Sequence, residues 1–393
     1  MILESGDVMR VGVVKELLPG EARVAMIPKC VETLIKAGLQ VSIEHGAGTA
    51  AGYTDDAFQS AGATIVPNRA AVYNSDIILQ VRGCGAQKEY ADIDRSLLRS
   101  GQVLIATLDP LGEPHTIAQY APSGASIFSL ELIPRITRAQ SMDVLSSQAT
   151  IAGYRAVLLA ATVLPKMFPM MMTAAGTLSA AKVFVIGVGV AGLQAIASAK
   201  KLGAIVSAYD VRPACREQVE SLGGKFVELQ LGSTGAEDTG GYAKAMDENF
   251  YHKQRELLTS VVRQSDVVIT TAAIPGKKSP TLVTGAAVES MAPGSVIVDL
   301  GAERGGNCEL TQANQSIIKY GVTILGPTNL PAEVPFHASQ MFANNITKFL
   351  LNMVKKGVLE INTEDEIVRE TLLAQGGQVV NSRIISLLAP AEK

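Results

Sequence analysis

The run AKVFVIGVGVAGLQAIASAKKLGAIVSAYDVR, residues 181–212, decides how the rest of the chain is read. Residues 183–186 are a short apolar run of strand type. Gly187, Gly189 and Gly192 follow in G-x-G-x-x-G spacing, then a helical pattern over 193–202 that Gly203 can stop. A second strand-like run, 205–209, ends at Asp210. Each element has a physical task in dinucleotide binding. Gly187 permits the tight turn, Gly189 lets the backbone approach a pyrophosphate, and Gly192 lets helix and strand pack closely. The pyrophosphate rests on unpartnered amide N–H groups at the helix N-terminus, and Asp210 stands where an acid accepts from a ribose 2′-OH. A buried strand–helix–strand unit without ligand is the bland alternative; the complete set of strand, turn, helix and acid favours the nucleotide. Asp210 points to NAD(H), because it repels a 2′-phosphate, while Arg212 tempers that preference.

Working outward, residues 1–8 read as a short disordered lead and 9–16 (MRVGVVKE) as a first strand. Pro28 opens a helix that Gly38 stops. Strand QVSIE, the glycine-rich turn 45–53, a helix at 55–60 and strands at 64–66, 76–81, 102–106 and 126–129 follow. Strands alternating with helical stretches imply a parallel sheet covered on both faces. Residues 134–148 lead into a helical stretch, 149–163. Beyond the glycine turn come a strand at 225–229, a polar, glycine-dotted segment at 230–246 expected to be mobile, and strands at 266–270, 295–300 and 322–325. After Pro335 a helical pattern, 339–355, returns to the first region; from Asn362 the chain reads as a loosely packed tail. The expected class is α/β: two Rossmann-like, doubly wound parallel-sheet domains with a nucleotide cleft between them. The first takes residues 1–145 plus 335–393 and the second 146–334.

Composition agrees. A chain of 393 residues suits two domains, and 36 glycines with no tryptophan suit a parallel α/β protein with many tight turns. A net charge of −3 without a basic cluster gives no reason to propose nucleic acid. Cys30, Cys84, Cys215 and Cys308 are far apart, with no C-x-x-C, and read as reduced thiols, not a metal site or disulfide framework. The N-terminus, MILESGDVMR, lacks the apolar core of a signal peptide. The greasiest region, 156–176, is broken by Pro165, Lys166 and Pro169, whereas a membrane span needs about 20 apolar residues. The expectation is a soluble protein without direct membrane insertion.

Arg135, Arg138, Gln140 and Asp143 form a dense polar set between apolar regions. They read either as a solvated loop with helix-capping acids, or as groups that hold a nicotinamide carboxamide, which needs both a donor and an acceptor. Met170, Met171 and Met172 read as core filling. His45, His115, His252 and His337 offer no triad or metal spacing, and no H-E-x-x-H, C-x-x-C or G-x-S-x-G occurs. A dehydrogenase acting on an alcohol or amine must also move a proton and needs a general base. Hydride exchange between two nicotinamide rings makes no O–H proton and needs positioning instead.

RAQSMDVLSSQ, AGYRAV, FPMMMTAAGT, GVGVAGLQAIA, VESLGGKF, GGYAKAM, TTAAIPGK and GGNCEL together resemble the soluble NAD(H)-binding component of the proton-translocating nicotinamide nucleotide transhydrogenases, in its split-subunit form. The likeness runs over about residues 9–350. It implies that Arg135 and Asp143 hold the nicotinamide and that Gln140 reaches the second nucleotide. Ser146 is a further nicotinamide-side contact, with Ile136, Thr137 and Arg138 in the same loop. Val190, Asp210, Val211 and Arg212 meet the pyrophosphate and adenosine ribose, Gly241 and Tyr242 tip a mobile loop, and Gln254 and Ala273 line the adenosine side. The resemblance also implies NADP(H) on a partner, the NADP(H)-binding domain of a membrane beta subunit. With it come a separate small membrane subunit, a homodimer, and a place on the cytoplasmic face of the inner membrane.

The first region is also similar to alanine dehydrogenases, which carry a catalytic lysine in V-K-E-P and a histidine at the end of a later strand. Here the first motif reads Val81-Arg82-Gly83-Cys84, and Asp109 stands where the histidine is expected. Both departures remove proton-handling groups. An amino-acid dehydrogenase and a non-catalytic NAD(H)-responsive subunit are the alternatives to hydride exchange between nucleotides.

Overall fold

The computed structural model describes residues 8–228 and 248–389. Two compact units divide the chain: one extends to Gln148 and resumes at Pro331, the other is Ala149–Leu330.

The first unit is built on strands β1 (Arg10–Val13), β2 (Gln40–Glu44), β3 (Thr64–Val66), β4 (Ile77–Arg82), β5 (Val103–Thr107) and β6 (Ser126–Ser129). Helices α1 (Pro28–Lys36), α2 (Asp55–Ser60), α3 (Arg69–Val72), α4 (Ala91–Leu97) and α5 (Pro114–Tyr120) connect them. Local signals set several helix ends. Pro28 sits in the first turn of α1, where its missing N–H costs nothing, and the Thr54 and Asn68 side chains cap α2 and α3. The six strands are parallel in the order β3-β2-β1-β4-β5-β6, the doubly wound order. Alternating residues of β4 divide between two cores: Ile77, Leu79 and Val81 pack with α1 and α2, and Ile78 packs with α5.

A 3₁₀ turn, Thr137–Met142, precedes α6 (Val144–Val163), within which the first unit gives way to the second. There follow a hairpin of β7 (Met171–Thr173) and β8 (Gly176–Leu178), then β9 (Lys182–Ile186), α7 (Val190–Lys201), β10 (Ile205–Tyr209), α8 (Cys215–Ser221), β11 (Lys225–Phe226), α9 (Glu248–Val262), β12 (Val267–Thr270), α10 (Gly285–Glu289), β13 (Val296–Asp299), β14 (Ser316–Lys319) and β15 (Val322–Leu325). The sheet order is β11-β10-β9-β12-β13-β15-β14, parallel except for the edge strand β14. The chain then returns to the first unit through α11 (Pro335–Met353), a small hairpin of β16 (Val354–Lys355) and β17 (Val358–Leu359), α12 (Glu366–Thr371), β18 (Leu372–Gln375), β19 (Gln378–Val379) and α13 (Ser382–Leu388).

Two expectations are corrected. The segment after Asn362 is not a loose tail. Asp365 caps α12, β18 pairs antiparallel with β6, and Ile367, Leu373 and Ile384 are fully buried. Met170, Met171 and Met172 do not fill a core: they are 61%, 40% and 77% exposed. The β7–β8 hairpin pairs only with itself, and all six of its strand residues face solvent. Residues 1–7 and the segment 230–246 lie outside the described residues.

Candidate functional site

In the second unit, the carboxyl ends of β9, β10 and β12 carry most of the expected nucleotide contacts. The turn after β9 has the geometry its glycines suggest. Gly187 adopts φ +95°, and a Cβ there would come within 2.7 Å of Thr271 Oγ1 and 3.0 Å of the Ala272 nitrogen. At Gly192 a Cβ would lie 1.9 Å from the Gly187 carbonyl oxygen, so helix and turn touch backbone to backbone. Gly189 is the opposite case: exposed, with nothing within 4 Å of its Cβ position. It stands at the cap position of α7 and brings no side chain to the amides of the first turn, and Val190 beside it is exposed. An anion can therefore approach that helix end. Behind the turn, a Cβ at Gly153 on α6 would lie 2.1 Å from the Ala191 carbonyl oxygen, a second close helix approach.

Asp210 does two things at the end of β10. Its Oδ2 accepts from the Val188 N–H at 2.7 Å, closing the glycine turn. The Arg212 guanidinium grips the same carboxylate, Nε to Oδ1 at 2.9 Å and Nη2 to Oδ2 at 3.0 Å, and the Arg212 N–H adds 2.9 Å. The acid expected at the ribose is thus already a structural clasp, and its charge is offset by Arg212. Val211 packs against the core beneath. Gln254 of α9 is buried and donates from Nε2 to Tyr209 Oη at 2.9 Å, while its Oε1 has no hydrogen-bond partner. Burial pushes the Tyr209 phenol up to about 12. Ala273 is exposed in the loop after β12.

That loop is held by a residue with no expected role. Asn307 is fully buried, and its Nδ2 donates to the carbonyls of Ala272 and Pro280, each at 2.9 Å. Thr271 Oγ1 then donates to the Gly187 carbonyl at 2.9 Å, tying the loop to the glycine turn. The GGNC run containing Asn307 was visible in the sequence; the two carbonyls it clasps were not. Gly241 and Tyr242 lie outside the described residues.

In the first unit, the 137–142 turn turns Ala139 and Met142 inward and leaves Arg135, Thr137, Arg138 and Gln140 exposed, with Ile136 packed against the core. Asp143 and Ser146 are brought together: Asp143 accepts from the Ser146 N–H at 2.9 Å and from Ser146 Oγ at 2.6 Å, capping α6. The capping role expected of an acid here is therefore realised at Asp143. Arg138 points to the C-terminal segment, donating to Asp365 and Asn352.

The strand ends that carry lysine and histidine in the alanine dehydrogenase pattern are also in this unit. Arg82 closes β4; its N–H donates to Glu16 at 3.1 Å, and its Nε lies 3.4 Å from Glu21. Glu21 is itself held by Arg23 at 2.8 and 2.6 Å. Asp109, at φ +50°, donates its N–H to Glu131 at 2.8 Å. Burial pushes the Glu16 carboxyl up to about 8, helped by the nearby Glu21. His45 pairs with Asp55 at 2.6 Å on the surface. Among the described residues no group of three His, Cys, Asp or Glu side chains could hold a metal ion. No helix among them is long and apolar enough to cross a membrane.

Family comparisons match this architecture unit by unit. The family model for the alanine dehydrogenase/PNT N-terminal domain matches residues 12–152, and that for the C-terminal domain matches 156–382. The first of the separate chains that make up the NAD(P) transhydrogenase alpha subunit of Rhodospirillum rubrum is 46% identical over 95% of this chain and 98% of its own length. A solved transhydrogenase from Sinorhizobium meliloti is 46% identical, covers 94% of this chain and 100% of that one, and superposes with a TM-score of 0.84. The alanine dehydrogenase of Bacillus subtilis is 28% identical over 98% of this chain and 97% of its own. The chain therefore belongs to the alanine dehydrogenase/PNT family, among its NAD(P) transhydrogenase alpha subunits.

Proposed function

We propose that this chain binds NAD(H) and exchanges hydride with NADP(H) held by the NADP(H)-binding domain of a membrane beta subunit, which couples the exchange to proton translocation. One observation carries the reading: one unit has an open glycine turn, and the other has Arg82 and Asp109 where a dehydrogenase needs proton-handling side chains. The turn fits the cofactor, since a Cβ would fill the space at Gly187 and Gly192 while Gly189 is left clear. Gly187, Gly189, Val190 and Gly192 would hold the pyrophosphate. Asp210, Val211 and Arg212 would hold the adenosine ribose, with Gln254, Ala273, Gly241 and Tyr242 around it. Arg135, Asp143 and Ser146 would orient the nicotinamide and Gln140 would reach the second nucleotide. The cofactor supplies the hydride; the chain's residues align it, and alignment alone is worth several orders of magnitude in rate. No side chain need move a proton.

The expected assembly is a homodimer with the membrane beta subunit and a small membrane subunit, on the cytoplasmic face of the inner membrane. The exposed Met170, Met171, Met172 and Leu178 of the β7–β8 hairpin offer apolar surface for association between copies. Sedimentation showing only a 41.3 kDa species at micromolar concentration would exclude the dimer.

The test is to mix the chain with an isolated NADP(H)-binding domain and follow hydride transfer from NADH to an oxidised NADP analogue. Transfer that depends on both components supports the proposal. Turnover of NAD with alanine by the chain alone would favour an amino-acid dehydrogenase, and nucleotide binding without either reaction would favour a regulatory subunit.

A further inference from the structure

The 137–142 turn is gripped at both ends by α11 and the segment that follows it. At one end, Asn345 donates from Nδ2 to the Ser141 carbonyl at 2.9 Å, and its Oδ1 accepts from Ser147 Oγ at 2.7 Å. At the other, Arg138 donates through both terminal nitrogens to Asp365, at 3.0 and 2.5 Å, and from Nη1 to Asn352 Oδ1 at 3.1 Å. Asn345 and Asn352 are seven residues apart on α11, so they share a face about 10 Å apart. Asp365 is oriented independently of Arg138: it accepts from the Ile367 N–H at 3.0 Å and from Asn352 Nδ2 at 2.9 Å. The Arg138 guanidinium in turn holds the Asp365 carboxyl well below the usual carboxylate range. From beneath, Ala139 and Met142, three residues apart on a 3₁₀ turn, are buried in the core. Between the two grips, Gln140 is exposed.

We infer that Asn345, Asn352 and Asp365 are positioning residues that hold this turn so that Gln140 projects at a set place, and that Arg138 serves this bracket instead of touching the nucleotide. An exposed ion pair contributes little to stability by itself. A forked, three-partner clamp instead fixes direction, which suits a group whose task is alignment. The inference rests on the proposed function for its consequence, hydride exchange, but the geometry of the bracket stands without it.

The test uses the full chain and the variants Asn352→Ala, Asp365→Asn and Arg138→Lys. Three quantities are read: hydrogen exchange of the backbone amides at 139–143, NADH affinity by titration, and single-turnover transfer with an isolated NADP(H)-binding domain. Asn352→Ala and Asp365→Asn are expected to speed exchange at 139–143 by about tenfold and to slow transfer by about tenfold, with NADH affinity within about twofold. Arg138→Lys, which keeps the charge but loses the fork, should fall between them and the wild type. Unchanged amide exchange overturns the inference, as does loss of NADH affinity in step with the loss of rate. If Asp365→Asn also unfolds α12, whose cap it alters, Asn352→Ala decides the outcome. If the wild type transfers no hydride, the proposed function fails, and amide exchange alone decides whether the bracket exists.

Discussion

Two sheets of the same doubly wound order end in opposite ways. In the second unit, the turn after β9 is glycine-lined, its backbone laid open at Gly189, with no side chain capping α7. In the first, the corresponding edge is closed by the chain's own acids. Glu16 accepts from the N–H groups of Val81 and Arg82 at 2.7 and 3.1 Å, and Glu131 accepts from those of Leu108 and Asp109 at 2.8 Å each. Glu21 lies between Arg23 and Arg82. Donors that could meet an external anion already hold an internal one. The lesson is that sheet order does not decide which edge binds: side-chain supply at the strand ends does.

The sharpest way to break this comparison is at the two glycines of the open edge. Gly192→Val puts side-chain atoms into the Gly187 carbonyl, so it should destabilise the unit by about 3 kcal/mol or more and abolish NADH binding. Gly189→Ala meets nothing within 4 Å and should leave the melting temperature unchanged while weakening NADH by about tenfold. Calorimetric melting with NADH titration checks both; equal effects at the two positions would refute the open-edge description.

Next in size is Gln140→Asn, which keeps the amide but shortens its reach. NADH binding to the isolated chain should survive, while transfer to the second nucleotide falls on the order of a hundredfold, the cost of about 1 Å of misplacement. Wild-type single-turnover rates at saturation, or a parallel loss of NADH affinity, would assign Gln140 a different role.

The closed edge should show itself in pH dependence. A Glu16 carboxyl raised to about 8 binds its proton more tightly in the folded state than in the unfolded chain. Its stabilising contribution is therefore complete below the unfolded value, near 4.5, and is lost as pH rises through about 8. Between pH 6 and 8.5 the wild type should lose about 2 kcal/mol of unfolding free energy from this group, and Glu16→Gln should flatten that slope. Denaturant titrations across this range decide it, and identical slopes would sink the assignment.

The smallest expected effect is at Asp210. Removing the carboxylate frees both the Val188 N–H and the Arg212 guanidinium. Asp210→Ala should weaken NADH by about tenfold and narrow the preference over NADPH, because Arg212 can then meet a 2′-phosphate. A wild type that binds NADPH as tightly as NADH would end the cofactor assignment.

What could be read from residue order alone was local. The glycine turn was legible because φ +95° at Gly187 and backbone contact at Gly192 are demands that few residue types meet. The strands at 126–129, 205–209 and 322–325 and the helix at 55–60 were legible from apolar runs and turn residues, and they fall at those bounds. The rest depended on partners far along the chain. The segment after Asn362 looked loose because its order comes from pairing Leu372 with Phe128, and the methionine run looked buried because nothing local shows that β7 and β8 have no third strand. Arg138 reads as a nucleotide ligand in sequence; Asp365, 227 residues later, claims it in the fold. Backbone conformation follows from neighbouring atoms, so residue type can specify it. A charge or an apolar face is satisfied by whichever group the folded chain brings near, and only the tertiary structure decides which that is.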